Sequence, residues 1–147
     1  LRPEFATYQK RILENARALA ESLSASGLKL VSGGTDTHLV LVDLSPRDLS
    51  GQLIENSLDA AGITVNKNAV PFDKRKPMDP SGIRIGTPAL TTRGMGPVEM
   101  REVSGWILKV IEKPEDDATI AFVREEVRKL CNRFPLYPDL IRKYKGR

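Results

Sequence analysis

Arg84 is set apart by the residues around it. In Ser81-Gly82-Ile83-Arg84-Ile85-Gly86-Thr87-Pro88-Ala89-Leu90 the alternation of a strand sends Ile83 and Ile85 to one face and Gly82, Arg84 and Gly86 to the other. Arg84 then projects from a floor of glycines, with room beside it for a planar anion. A guanidinium grips a carboxylate through two parallel, charge-assisted hydrogen bonds, so one reading of Arg84 is a residue that binds a carboxylate ligand. The other is a structural arginine paired with an Asp or Glu of the chain, and spacing alone leaves both open. A second group is Val65-Asn66-Lys67-Asn68-Ala69-Val70-Pro71, in which Asn66 and Asn68 share a strand face and Lys67 takes the other. Amide side chains donate and accept, which suits a heteroaromatic ring carrying both kinds of group. Two asparagines after a strand equally suit Asx turns. Lys67 reads as a solvated charge, because nothing near it in sequence would desolvate it and lower its pKa as Schiff-base chemistry requires.

Other residues point away from particular chemistries. Ser32-Gly33-Gly34-Thr35-Asp36-Thr37 invites comparison with a phosphate cradle, but a strand follows it, so the helix N-terminus that stabilises phosphate is missing and a tight turn is the reading. His38, the sole histidine, opens that strand and reads as structural. With one His and one cysteine, Cys131, the chain has neither an internal disulfide nor a four-ligand Cys/His zinc site. No metal site is expected, and a lone cysteine suits a reducing cytoplasm. Lys and Arg number 23 against 19 Asp and Glu, a net charge of +4 spread over mixed signs, which is too mild to imply nucleic acid. The basic stretch 142–147 carries only Tyr144 as an interleaved aromatic. No run nears the roughly 18 apolar residues of a membrane span. Charges every few positions through residues 1–17 do not fit a secretory signal.

The elements that must hold these residues follow from periodicity. Phe5, Tyr8, Ile12, Leu13, Ala16, Leu19, Ala20 and Leu23 recur at three- and four-residue steps and predict an amphipathic helix over 3–25, stopped by Gly27. Residues 28–31 and 39–44 read as strands, plausible as a hairpin across Gly33-Gly34. Ser50 caps a helix over 51–61 that ends at Gly62, and residues 63–65 read as a short strand. Residues 71–80 are a proline-punctuated loop of the kind that carries binding residues, and 82–86 a further strand. Helices are predicted over 97–113 and 116–133, separated by Pro114. The end, 142–147, reads as frayed or solvated. The fold class is therefore α+β (two-layer α/β), a small, mostly antiparallel sheet packed against helices in one domain.

Taken together, Leu30-Val31-Ser32-Gly33-Gly34-Thr35-Asp36-Thr37-His38-Leu39, Gly62-Ile63-Thr64-Val65-Asn66-Lys67-Asn68 and the segment from Ser81 through Thr91-Thr92-Arg93-Gly94 resemble three successive signatures of the serine hydroxymethyltransferases, in the family's order and spacing. Phe134-Pro135-Leu136-Tyr137 resembles the family's usual ending. The resemblance covers nearly the whole chain. It implies that residues 1–147 are the small C-terminal domain of a pyridoxal-phosphate enzyme of the aspartate-aminotransferase fold type, without the large cofactor domain. The abrupt opening Leu1-Arg2-Pro3-Glu4 reads the same way, as a fragment of a longer chain.

The resemblance further implies that Arg84 grips the carboxylate of serine or glycine and that Asn68 contacts the folate. Lys76, Pro77 and Met78 align with a stretch lining the folate pocket, where only Pro77 is a typical family residue. The implied reaction passes a one-carbon unit between serine and tetrahydrofolate, with pyridoxal phosphate as electron sink. The family's Schiff-base lysine lies upstream, so no catalytic residue is expected in this chain, which by itself should fold without turning over. Implied partners are serine, glycine, folate, the large domain and, since family members are dimers, a second subunit of the parent enzyme. An alternative of another class is a stand-alone binding or regulatory module derived from such a domain.

Overall fold

The computed structural model describes residues 2–137 together with 143 and 144, so most of the basic stretch 142–147 lies outside the described residues. Helix α1 spans Pro3–Ala25. Proline at its first position forfeits only an amide that has no partner there anyway. Of the predicted stripe, Ile12, Ala16, Leu19, Ala20 and Leu23 are buried, whereas Tyr8 and Leu13 are half-buried and Phe5 is exposed. The helix closes with the amides of Gly27 and Leu28 donating to Ser24 and Leu23, at 2.9 and 3.1 Å.

Strands β1 (Lys29–Leu30) and β2 (Leu39–Asp43) form the expected antiparallel hairpin, with Lys29 opposite Asp43 and Leu30 opposite Val42. A single 3₁₀ turn, Ser45–Arg47, leads to α2, Gly51–Ala60. Ser50 caps α2 as read from sequence, its hydroxyl accepting from Leu53 N at 3.1 Å. Strand β3 (Asn66–Asn68) and strand β4 (Gly82–Gly86) complete a four-stranded, wholly antiparallel sheet in the order β1-β2-β4-β3. Helices α3 (Pro88–Thr92), α4 (Pro97–Glu112) and α5 (Asp117–Arg133) follow.

Among the described residues the helices pack on one face of the sheet. Val40, Val42, Ile83 and Ile85 point into a core with Leu19 and Leu23 of α1, Ile54 and Leu58 of α2, and Met100, Ile107 and Ile111 of α4. Each such side chain contributes roughly 1.5–3 kcal/mol by leaving water. Helix α5 lies outside this layer, adding Val123 and Leu130. Among the described residues no helix is long and apolar enough to cross a membrane.

Two local expectations are corrected. The strand read at residues 63–65 lies at Asn66–Asn68. Closure of α2 consumes the amides of Gly62 and Ile63, which donate to Asp59 and Leu58 at 2.9 and 2.8 Å, and Gly62 takes φ 81° to allow it. Ile63 and Val65 therefore serve as packing anchors, and the ladder starts one residue after Val65. Helix α3 was not expected. Thr87 is wholly buried, and its hydroxyl donates to the Ile12 carbonyl at 3.1 Å, which turns the chain into a helix that Pro88 can begin.

Candidate functional site

Strand β4 is interior to the sheet. Leu41 of β2 and Asn66 of β3 flank Arg84, while Ile83 and Ile85 are buried on the helix side. Arg84 is exposed on the open face. Among the described residues no carboxylate forms an ion pair with it. The internally paired arginine, one of the two sequence readings, is thus not what this chain contains among those residues.

The floor of glycines is only half as expected. A methyl at Gly82 would lie 2.7 Å from Val70 Cγ1 and 2.8 Å from the Asn68 carbonyl, so that side is filled. The chain leaving β3 turns back and lays Val70 over Gly82. At Gly86 the nearest atoms would be Pro88 Cδ at 3.7 Å and the His38 carbonyl at 3.9 Å, so the space beside Arg84 is on that side.

Register puts Asn66 opposite Arg84 and Asn68 opposite Gly82, so both amides share the open face with Arg84. Asn68 spends one donor on the Ala69 carbonyl at 2.7 Å. Lys67 takes the helix side, where its ammonium bonds Gln52 and lies 4.0 Å from Glu55 while its amide donates to Glu55 at 2.9 Å. It is a tethered lysine and not the solvated one read from sequence.

Lys76, Pro77 and Met78 are exposed on the loop between β3 and β4, and among the described residues no hydrogen bond joins them to Arg84 or Asn68. Their neighbours tie the loop to the start of α2 instead. The Ser50 hydroxyl bonds Asp79, and the Arg75 guanidinium reaches the Asp48 carbonyl and carboxylate, both at 3.1 Å, and Asp79 at 3.5 Å. Gly51 N donates to the Pro80 carbonyl at 2.7 Å.

Sequence reasoning passed over Asp73. Its carboxylate accepts from Ser81 N at 2.8 Å, the Ser81 hydroxyl at 2.7 Å, Arg75 N at 3.0 Å and Val70 N at 3.2 Å. The Ser81 amide leads the other donors in outweighing desolvation and holds this carboxyl well below the usual carboxylate range. An Asp two residues before a polar amide in a proline-rich loop is an Asx-turn signal that pointed to it. At the other corner of the open face, burial pushes the Asp43 pKa up, but bonds from Lys29 Nζ at 2.7 Å and Ser45 N at 2.9 Å outweigh that and keep it lowered.

The glycine turn behaves as read, with Thr35 Oγ1 donating to the Leu39 carbonyl at 2.6 Å and Ser32 Oγ to that of Gly34 at 2.9 Å. Pyridoxal phosphate, the group the resemblance implies, needs a lysine with a free amine beside the amino-acid carboxylate. The two lysines on the strands are both engaged, Lys67 on the far face with Gln52 and Lys29 with Asp43, so the sheet does not offer a free amine beside Arg84.

Residues 1–107 match the family model described as serine hydroxymethyltransferase. The chain is 52% identical over 142 residues to the serine hydroxymethyltransferase of Myxococcus xanthus (strain DK1622), an alignment covering 97% of this chain and 34% of that protein. It thus spans about a third of the length of this curated relative.

Proposed function

The chain belongs to the serine hydroxymethyltransferase family, and from that premise we propose that residues 1–147 form the C-terminal domain that recognises substrate and folate in an enzyme interconverting serine plus tetrahydrofolate with glycine plus 5,10-methylenetetrahydrofolate. The observation that carries this reading is Arg84, a guanidinium on the open face of a rigid sheet, exposed and without an internal carboxylate partner among the described residues. Its fork binds the amino-acid carboxylate at two points, which fixes how the amino acid is turned as well as where it sits. Asn68, on the same face, and Lys76, Pro77 and Met78, on the loop, contact the folate. Pyridoxal phosphate, held by a large domain outside these residues, supplies the electron sink. The parent enzyme is a cytoplasmic homodimer in this reading.

In the full-length protein Arg84→Lys keeps the charge and loses the two-pronged geometry. Glycine affinity and kcat/KM for serine should each fall by about tenfold or more, measured by titration and by one-carbon transfer to tetrahydrofolate. Kinetics equal to wild type would remove Arg84 from the site. The 147 residues alone, mixed with pyridoxal phosphate, should develop no lysine-adduct absorption band and cleave no serine; a band or turnover would contradict the division of labour proposed.

A further inference from the structure

The connection from β3 to β4, residues 69–81, is long for an antiparallel pair, and closing a loop of that length costs conformational entropy. One side chain closes it at the neck. Asp73 Oδ2 takes the amides of Val70 and Ser81, 3.2 and 2.8 Å away, and so joins the two ends of the loop, while Oδ1 takes Arg75 N and the Ser81 hydroxyl at 3.0 and 2.7 Å. The Asp73 amide returns a bond to the Val70 carbonyl at 3.1 Å. Beyond the neck, the Asp79 amide bonds the Lys76 carbonyl at 2.9 Å, and Arg75 spans Asp48 and Asp79. That outer pair is partly exposed and solvent-screened, so the neck carries most of the constraint.

We propose that Asp73 is a positioning residue for folate: by closing residues 70–81 on themselves it presents Lys76-Pro77-Met78 and the β3 end bearing Asn68 in one arrangement. This rests on the folate reading of those residues given above. Arg84 is insulated from the clamp, because β4 is also held along its other edge by five paired residues of β2, from Leu39–Gly86 to Asp43–Gly82. Loosening the neck lowers the fraction of molecules whose loop is ready for folate and weakens apparent affinity by that fraction. It leaves the amino-acid carboxylate site in place. The dependence is therefore on one ligand of two, which a merely structural residue would not produce.

The test uses the full-length holoenzyme, with tetrahydrofolate and glycine titrated separately, and hydrogen exchange read at the amides of Arg75 and Ser81. Asp73→Asn keeps the volume but sets an amide NH₂ against N–H donors. It should raise the tetrahydrofolate dissociation constant about tenfold, leave that for glycine within about twofold, and speed exchange at both amides. Ser81→Ala removes a single bond and should do the same to a smaller extent, about threefold, which keeps the test informative if the first variant folds poorly. Unchanged tetrahydrofolate affinity in both variants overturns the proposal, as does a parallel loss for both ligands with exchange raised across the whole domain. If the wild-type holoenzyme itself fails to bind tetrahydrofolate, the folate reading falls and takes the proposal with it, an outcome distinct from wild-type binding that the variants share.

Discussion

Arg84 forms no ion pair among the described residues, whereas the Asp73 carboxylate accepts four hydrogen bonds, and the two stand in opposite electrostatic situations. Between Val70 and Asp73 lies Phe72, held at φ 59° with its side chain wholly exposed. A non-glycine residue in that conformation carries strain, and Phe72 gains no packing to offset it. Phe72→Asn should therefore stabilise the domain by about 1 kcal/mol, read as a higher denaturant midpoint with unchanged slope. A lower midpoint would mean that Phe72 is supported by contacts of its own. The carboxylates set the pH response. Asp73 and Asp43 have lowered pKa values in the folded chain, so the stability they contribute is present above the unfolded carboxylate value near pH 4 and is lost as pH falls from there toward their folded values. The difference in melting temperature between wild type and Asp73→Asn should be constant from about pH 7 to 5 and shrink toward about pH 2. A gap that widens on acidification would show the sign to be wrong.

Among the secondary-structure elements, α2 couples the loop to the sheet. Its first residue, Gly51, lies so close to β4 that a methyl there would sit 2.4 Å from the Gly82 carbonyl and 2.7 Å from that of Pro80. Both obstacles are backbone, which cannot rotate away as a side chain can. Gly51→Ala should cost about 2 kcal/mol or more by forcing α2 from the strand. Gly105, in the interior of α4, is the contrast: a methyl there meets nothing within 4 Å. Gly105→Ala should raise stability by about 0.5–1 kcal/mol through reduced backbone entropy in the unfolded chain. Opposite signs for the same substitution, followed by thermal unfolding, would confirm that close approach and not helix propensity sets the cost at Gly51.

For the molecule as a whole, one contiguous core runs from α1 through the sheet to α4 and α5, so the 147 residues should unfold in a single cooperative transition. Leu58 is fully buried in the middle of it, and Leu58→Ala should cost about 2–5 kcal/mol with fluorescence and circular dichroism still coincident. Separate transitions would divide the core. Local signals in the sequence were enough to determine the long helices α1, α4 and α5, the Ser50 cap and the alternation that turns Arg84 away from Ile83 and Ile85. Each depends on neighbours within one or two turns, and the signature motifs of the family are likewise contiguous. The shift of β3 to Asn66–Asn68 follows from the local closure of α2 at Gly62 and Ile63, which the apolar run Ile63-Thr64-Val65 hid from a reading by periodicity. Only tertiary structure could decide the helix at Pro88–Thr92, the filling of Gly82 by Val70, and the four hydrogen bonds gathered on Asp73. In these three cases the deciding contact joins residues well apart in the chain: the Thr87 bond to α1, Val70 folding back over β4, and the amide of Ser81 returning to a carboxylate eight residues earlier. Periodicity along the chain carries no record of such bonds, because they form only once the sheet has brought their partners together.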